Sequence, residues 1–143
     1  MAVVGDVYWF LATGDDTNGK YASWISVVQP GGGPPPHLHR REEEAFYVLE
    51  GEMTFYIEGK RTVLNAGMFA NMPVGVAHHF KNESNGLAKM LVTVAPAGLE
   101  KMFFEFGVDV PPGSTTAVPP TQAEIQKLLT LAPSYGIEVL APK

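Results

Sequence analysis

Short runs rich in aromatic and β-branched residues alternate with turn signals from Val7 to Ala95, and that cadence restricts the fold more than any other feature. Val7–Thr13 and Tyr21–Val28 read as opening strands divided by Asp15-Asp16-Thr17-Asn18-Gly19. Glu44–Glu50 and Glu52–Glu58 are separated by Gly51, and Arg61–Leu64 follows the tight turn Glu58-Gly59-Lys60. Met68–Met72 leads into the reversal Pro73-Val74-Gly75, and Val76–Lys81 and Ala88–Ala95 flank the hairpin-type turn Asn85-Gly86. Strands at this spacing predict an antiparallel all-β barrel or sandwich rather than a βαβ fold. Parity places Phe46, Met53, Phe55, Phe80 and Met90 inward, each as core and together as walls suited to a flat, partly apolar ligand. Tyr47, Leu49, Tyr56 and Trp24 are expected on the outer face, where a second copy of the chain would cover them as a homodimer, the alternative cover being a second sheet or the C-terminal helix.

All four histidines fall into two short blocks. His37 and His39 are two apart, so on a strand both rings point to one face. Glu42, Glu43 and Glu44 follow at once, and His78 and His79 form the second block. Two imidazoles, a carboxylate and a distant third imidazole would be costly to bury unpaired, and as a set they suit a borderline divalent metal such as iron, manganese, nickel, copper or zinc. His79 neighbours His78 on one strand and therefore faces the other way, as a structural or surface residue. Val76–Lys81 carries His78 inward with Phe80 on the same face.

These blocks resemble the two cupin motifs. Gly31, His37, His39, Glu44 and Gly51 match G-x5-H-x-H-x4-E-x6-G, and Gly67, Pro73, Gly75, His78 and Asn82 match G-x5-P-x-G-x2-H-x3-N. The resemblance implies a small cupin (jelly-roll) β-barrel enclosing one metal, with His37, His39, Glu44 and His78 as ligands. It thereby selects Glu44 among the three glutamates and leaves Glu42 and Glu43 solvated. The stretch from His37 to Phe55, together with Ala95-Pro96-Ala97-Gly98-Leu99-Glu100-Lys101-Met102-Phe103-Phe104, is similar to bacterial single-domain proteins related to quercetin 2,3-dioxygenase. That similarity implies a metal-dependent dioxygenase acting with dioxygen on a flavonol or a similar enol or diketone. Four ligands in six-coordinate geometry leave up to two open positions for such a substrate, and Glu44 would take its hydroxyl proton as general base. The alternatives are a metal-dependent isomerase, decarboxylase or lyase, and a non-catalytic small-molecule-binding protein.

The composition narrows the remaining classes. The net charge is −5, and no Lys/Arg run is long enough to track phosphates, which disfavours nucleic acid. Arg40 and Arg41 are expected to pair with Glu42 and Glu43 at the surface. There is no cysteine, and neither a leader-like segment nor a membrane-spanning apolar run is visible, so the expected location is cytoplasmic. Residues 1–143 read as one domain, with a barrel core over about 7–95 and a helical extension over about 97–143. Leu99, Met102, Phe103 and Phe106 recur at helical spacing from Gly98, as a plug for one barrel end or alternatively as the wall of a ligand pocket. Val108–Pro120 is a connector without periodicity. Thr121-Gln122-Ala123-Glu124 then forms a capping box for a helix to about Leu131, with Ile125, Leu128 and Leu129 on its buried stripe.

Overall fold

A computed structural model describes residues 1–140. The strands are β1 (Ala2–Val3), β2 (Asp6–Ala12), β3 (Ala22–Val28), β4 (His37–His39), β5 (Glu43–Glu50), β6 (Glu52–Ile57), β7 (Lys60–Asn65), β8 (Phe69–Met72), β9 (His78–Lys81), β10 (Ala88–Ala95) and β11 (Ile137–Val139). The helices are α1 (Gly14–Thr17), α2 (Leu99–Phe106) and α3 (Gln122–Leu131). Two antiparallel sheets result, ordered β1-β2-β3-β10-β5-β8 and β11-β4-β9-β6-β7. They face each other as a flattened cupin-type barrel without closing into one hydrogen-bonded ring among the described residues.

The core lies between the sheets. Phe46 of β5 meets Phe55 of β6 at 5.1 Å and Phe80 of β9 at 5.8 Å between ring centroids. Met53, Met90, Val92 and Val94 are buried with them, as strand parity predicts. Each such side chain contributes about 1.5–3 kcal/mol by leaving water. Gly51 (φ 77°) and Gly33 (φ 136°) show why the turns need glycine. A Cβ on Gly33 would come within 2.1 Å of the Phe80 carbonyl oxygen, and one on Gly51 within 2.5 Å of that of Leu87.

Several expectations give way to tertiary context. Trp24 points inward and is 1% exposed, stacked on Tyr8 at 5.6 Å and edge-on to Phe103 at 5.4 Å. The outer face of the larger sheet instead carries a cross-strand row, Trp9–Ile25–Leu91–Tyr47–Phe69, in which Tyr47 and Phe69 are exposed. Residues Asp15–Gly19 do not merely turn, because Gly14–Thr17 forms a helical turn closed by Asn18 in the left-handed region.

The extension after the barrel is not wholly helical, since β11 returns to pair with β4, and the last three positions of the expected 97–143 span lie outside the described residues. α3 begins at the predicted cap, where Thr121 Oγ1 accepts from the Glu124 amide. Its stripe is not buried, however: Ile125 and Leu129 are exposed, and Leu128 packs only partly against the core. No helix among the described residues is long and apolar enough to cross a membrane.

Candidate metal centre

His37 and His39 share one face of β4, and His37 lies directly opposite His78 of β9 in the antiparallel register. Glu44 arrives from β5 in the other sheet, so the cluster spans the barrel interior. One ligand atom from each of the four residues lies within 4.8 Å of all the others. His37 Nε2 is 3.2 Å from His39 Nε2, His39 Nε2 is 3.2 Å from Glu44 Oε1, and His78 Nε2 is 3.1 Å from the same oxygen. His39, Glu44 and His78 are buried, and His37 is half-buried at the cavity side. The four expected ligands therefore converge, and no other cluster of this kind occurs among the described residues.

The hydrogen bonds behind the rings set their tautomers. His37 Nδ1–H donates to the Pro35 carbonyl at 2.9 Å, and His78 Nδ1–H to the Val76 carbonyl at 3.0 Å. A carbonyl only accepts, so both Nδ1 atoms carry protons and a neutral ring presents its Nε2 lone pair to the cluster. Lone pairs from His37 and His78 thus face His39 and a carboxylate oxygen at contact distance, an arrangement that repels unless a positive charge lies among them. Ring protons supply that charge in part, and a divalent cation supplies it fully. The donor set fits such a cation, with three imidazole nitrogens and one carboxylate as borderline ligands.

The electrostatics are divided within this small volume. Burial, followed by the neighbouring His78 and His39, holds the His37 pKa down at about 4. Burial also presses His39 toward neutrality, but the carboxylates of Glu42 and Glu44 outweigh it and raise His39 to about 9. Burial alone would raise Glu44, yet the His39 and His78 rings beside it, which donate to it when their Nε2 atoms carry protons, hold it well below the usual carboxylate range.

Glu42 departs from expectation. It is 3% exposed and buried behind His39, with its Oε2 3.6 Å from His39 Nδ1, while Glu43 is exposed as predicted. That separation is within ion-pair reach but too long for a hydrogen bond, and both atoms lack a hydrogen-bonding partner. Three residues from His39, beyond a bend at 40–41, Glu42 turns inward where strand parity was no guide. The arginines consequently find other contacts: Arg40 pairs with Glu138 on β11, and the stem of Arg41 lies against Gly136. His79 faces outward and stacks on Tyr56 at 4.6 Å with 4° between the ring planes, as its position predicts.

A cavity of about 80 Å³ opens beside the cluster and is lined in part by His37, His39 and Glu44. Of the aromatic and methionine residues expected to wall it, only Phe80 does so; Phe46, Met53, Phe55 and Met90 are core. The walls come instead from Tyr8, Trp24 and the α2 residues Met102, Phe103 and Phe106, with Ile137 and Val139 of β11. α2 is therefore a wall of the pocket rather than only a plug. Asp6 lines the cavity as well, and it was missed although a readable signal existed. Asp6, Tyr8 and Phe10 alternate along β2, so the aromatic pair marks an inward face to which the aspartate belongs.

Comparisons with known proteins agree with this arrangement. Residues 24–94 match the cupin domain family. The chain is 27% identical over 141 residues to quercetin 2,3-dioxygenase of Bacillus subtilis, covering 98% of this chain and 41% of that enzyme. It thus spans about two fifths of the length of that relative. Among solved structures, a predicted oxalate decarboxylase from Thermotoga maritima is 25% identical with a TM-score of 0.59, over 61% of this chain and 76% of that one. A putative sugar phosphate isomerase from Acidithiobacillus ferrooxidans is 29% identical with a TM-score of 0.56, over 63% and 58% respectively. The strand order, the matched domain and these structural neighbours together make the chain a member of the cupin superfamily.

Proposed function

We propose that the protein is a metal-dependent dioxygenase acting on a small molecule with an enol or diketone group, with His37, His39, Glu44 and His78 holding the metal. The observation that carries this reading is the convergence of those four side chains at one end of a predominantly apolar cavity. When bound, a divalent transition metal supplies a Lewis acid for an enol oxygen and, if redox-active, a route for electrons to dioxygen. Glu44 accepts the enol proton on a carboxylate oxygen. In the metal-free cluster the hydrogen bonds from His39 and His78 make it a weak base. With a cation bound the Glu44 carboxylate stays ionised as well, so it acts as general base when it loosens from the metal and takes the substrate hydroxyl proton. The apolar lining from Trp24, Phe103 and Phe106 excludes water and orients a flat ligand.

Size and charge refine the substrate. A cavity of about 80 Å³ is roughly half the ~150 Å³ that holds benzene in an engineered apolar site. Even a one-ring enol therefore reaches to the mouth, and a three-ring flavonol requires the α2 wall to move. No lysine or arginine lines the cavity, which argues against a phosphorylated sugar as the ligand. The same residues would serve an isomerase, decarboxylase or lyase, and that reading draws on the structural neighbours named above.

The test is oxygen uptake by protein reconstituted separately with iron, manganese, nickel, copper and zinc and supplied with quercetin, enediols and diketones. Uptake with a redox-active metal, lost in His78→Ala, is expected. Turnover with zinc in the absence of oxygen would transfer the assignment to the oxygen-independent class, and stoichiometric metal binding without any product would leave a binding protein. Glu44→Gln is expected to suppress the proton-dependent step more than it weakens metal binding, and unchanged turnover would remove Glu44 as the base. We further propose a homodimer through the outer row that includes Tyr47 and Phe69. Phe69→Lys should shift it toward monomer in sedimentation, and a wild-type monomer at micromolar concentration would refute the pairing.

A further inference from the structure

Outside the metal cluster, Asp6 and Tyr8 are the carboxylate and hydroxyl groups that line the cavity. Asp6 is 5% exposed, and no hydrogen bond from another described side chain or amide reaches its carboxylate. The Gly-rich loop that delivers His37 passes directly over it: a Cβ on Gly32 would sit 2.7 Å from Asp6 Oδ1. Tyr8 lines the same cavity as Asp6 and Glu44, and after burial their charges raise its phenol pKa. Burial also lifts Asp6 to about 7. A buried carboxylate without a partner destabilises a fold. The β1–β2 hairpin does not use this one, because its pairing is made by backbone groups. The Asp6 oxygens are not among the fully enclosed atoms without a partner, so they open onto the cavity that His37, His39 and Glu44 also line, where a ligand can reach them.

We propose that Asp6 forms a second polar subsite in the cavity, accepting a hydrogen bond from a hydroxyl on a ligand whose enol–ketone end lies at the metal cluster. The ligand class is then an aromatic or heteroaromatic hydroxyketone with a further hydroxyl on the side away from the chelating oxygens. This rests on reading the cavity as the substrate site beside a bound metal, and it does not depend on the reaction being an oxygenation.

The probes are kojic acid and its deoxy analogue allomaltol, one-ring hydroxypyranones with the same chelating oxygens that differ by a single hydroxyl. Binding to zinc-loaded Trp9→Phe protein, in which Trp24 of the cavity wall is the sole tryptophan, is read from fluorescence quenching and separates this subsite from turnover, because zinc carries no redox chemistry. Wild-type protein is expected to prefer kojic acid by about tenfold, the size of a hydrogen bond to an ionisable group. Asp6→Ala should abolish that preference while leaving allomaltol affinity and zinc content unchanged. Asp6→Asn keeps an acceptor at the same place and should retain part of the preference, which covers the case in which Asp6→Ala does not fold. An equal affinity of wild-type protein for both probes, binding of neither, or a preference that survives in Asp6→Ala would each overturn the subsite. Oxygen uptake with the redox-active metals would still decide the reaction class independently.

Discussion

The β3–β10–β5 slab and the three-residue strand β4 perform opposite tasks. In the slab, seven residues of β10 pair with β3 and seven with β5, and the inner face is filled by Trp24, Met90, Phe46 and Val92. β4 pairs with β9 only at His37–His78, its His39 carbonyl accepts from the Gly75 amide, and its longest ladder is with β11. Stability therefore resides in long ladders with apolar interiors, one of which also carries Glu44, whereas His37 and His39 sit on a short strand whose placement depends on a distant partner. A rigid slab can carry a site made of costly buried charge because it has burial energy in excess.

The sharpest way to break this contrast is to remove a ligand. His37→Ala, His39→Ala and His78→Ala should each abolish tight metal binding, measured by metal content after dialysis, while circular dichroism keeps its β signature. Retention of full metal content in all three would dissolve the site. The slab should respond in the opposite sense: Trp24→Ala is expected to cost about 3–5 kcal/mol in chemical denaturation, with metal stoichiometry intact in the folded fraction.

Ending the chain at Gly136 removes β11. Metal affinity should fall about 10- to 100-fold, as for loss of an outer supporting partner, with only a small drop in Tm. A collapse of Tm instead would place β11 with the slab rather than with the site.

The pH dependence sharpens the comparison further. Asp6 has a folded pKa of about 7 against an ordinary value of 3.8, so the folded state holds its proton more tightly. Its contribution is fully present below about pH 3.8, is lost as pH rises through about 7, and is constant above that. Asp6→Asn should therefore be more stable than wild type at pH 8, by several degrees in Tm, and no more stable at pH 4. The smallest effect lies away from both regions. Glu58 takes φ 50° ahead of Gly59 in the β6–β7 turn, and Glu58→Asn should add about 0.5–1 kcal/mol by easing a left-handed residue, with no change in metal binding.

Much of this was legible beforehand, for physical reasons that differ by element. β10 was readable to the residue because it is rich in β-branched and apolar residues and both ends carry turn residues. The convergence of the four side chains was readable because strand parity aligns His37 with His39 and the motif spacing selects Glu44 and His78. Ile125 and Leu129 misled because helical spacing marks an apolar stripe without saying whether anything covers it. Trp24 misled because every residue of β3 except Ile25 is buried, so neither face of that strand could be recognised by polarity.

The sequence by itself determined the all-β architecture, the turns that cut it and the identity of the His/Glu cluster, since periodicity, turn chemistry and motif spacing are local properties of a chain. The burial of Glu42 behind His39, the pairing of β11 with β4, the α2 wall and the isolation of Asp6 inside the cavity were decided only by the tertiary structure. Each is a contact between segments far apart in sequence or across a bend, and no local pattern specifies which distant surface a side chain will meet.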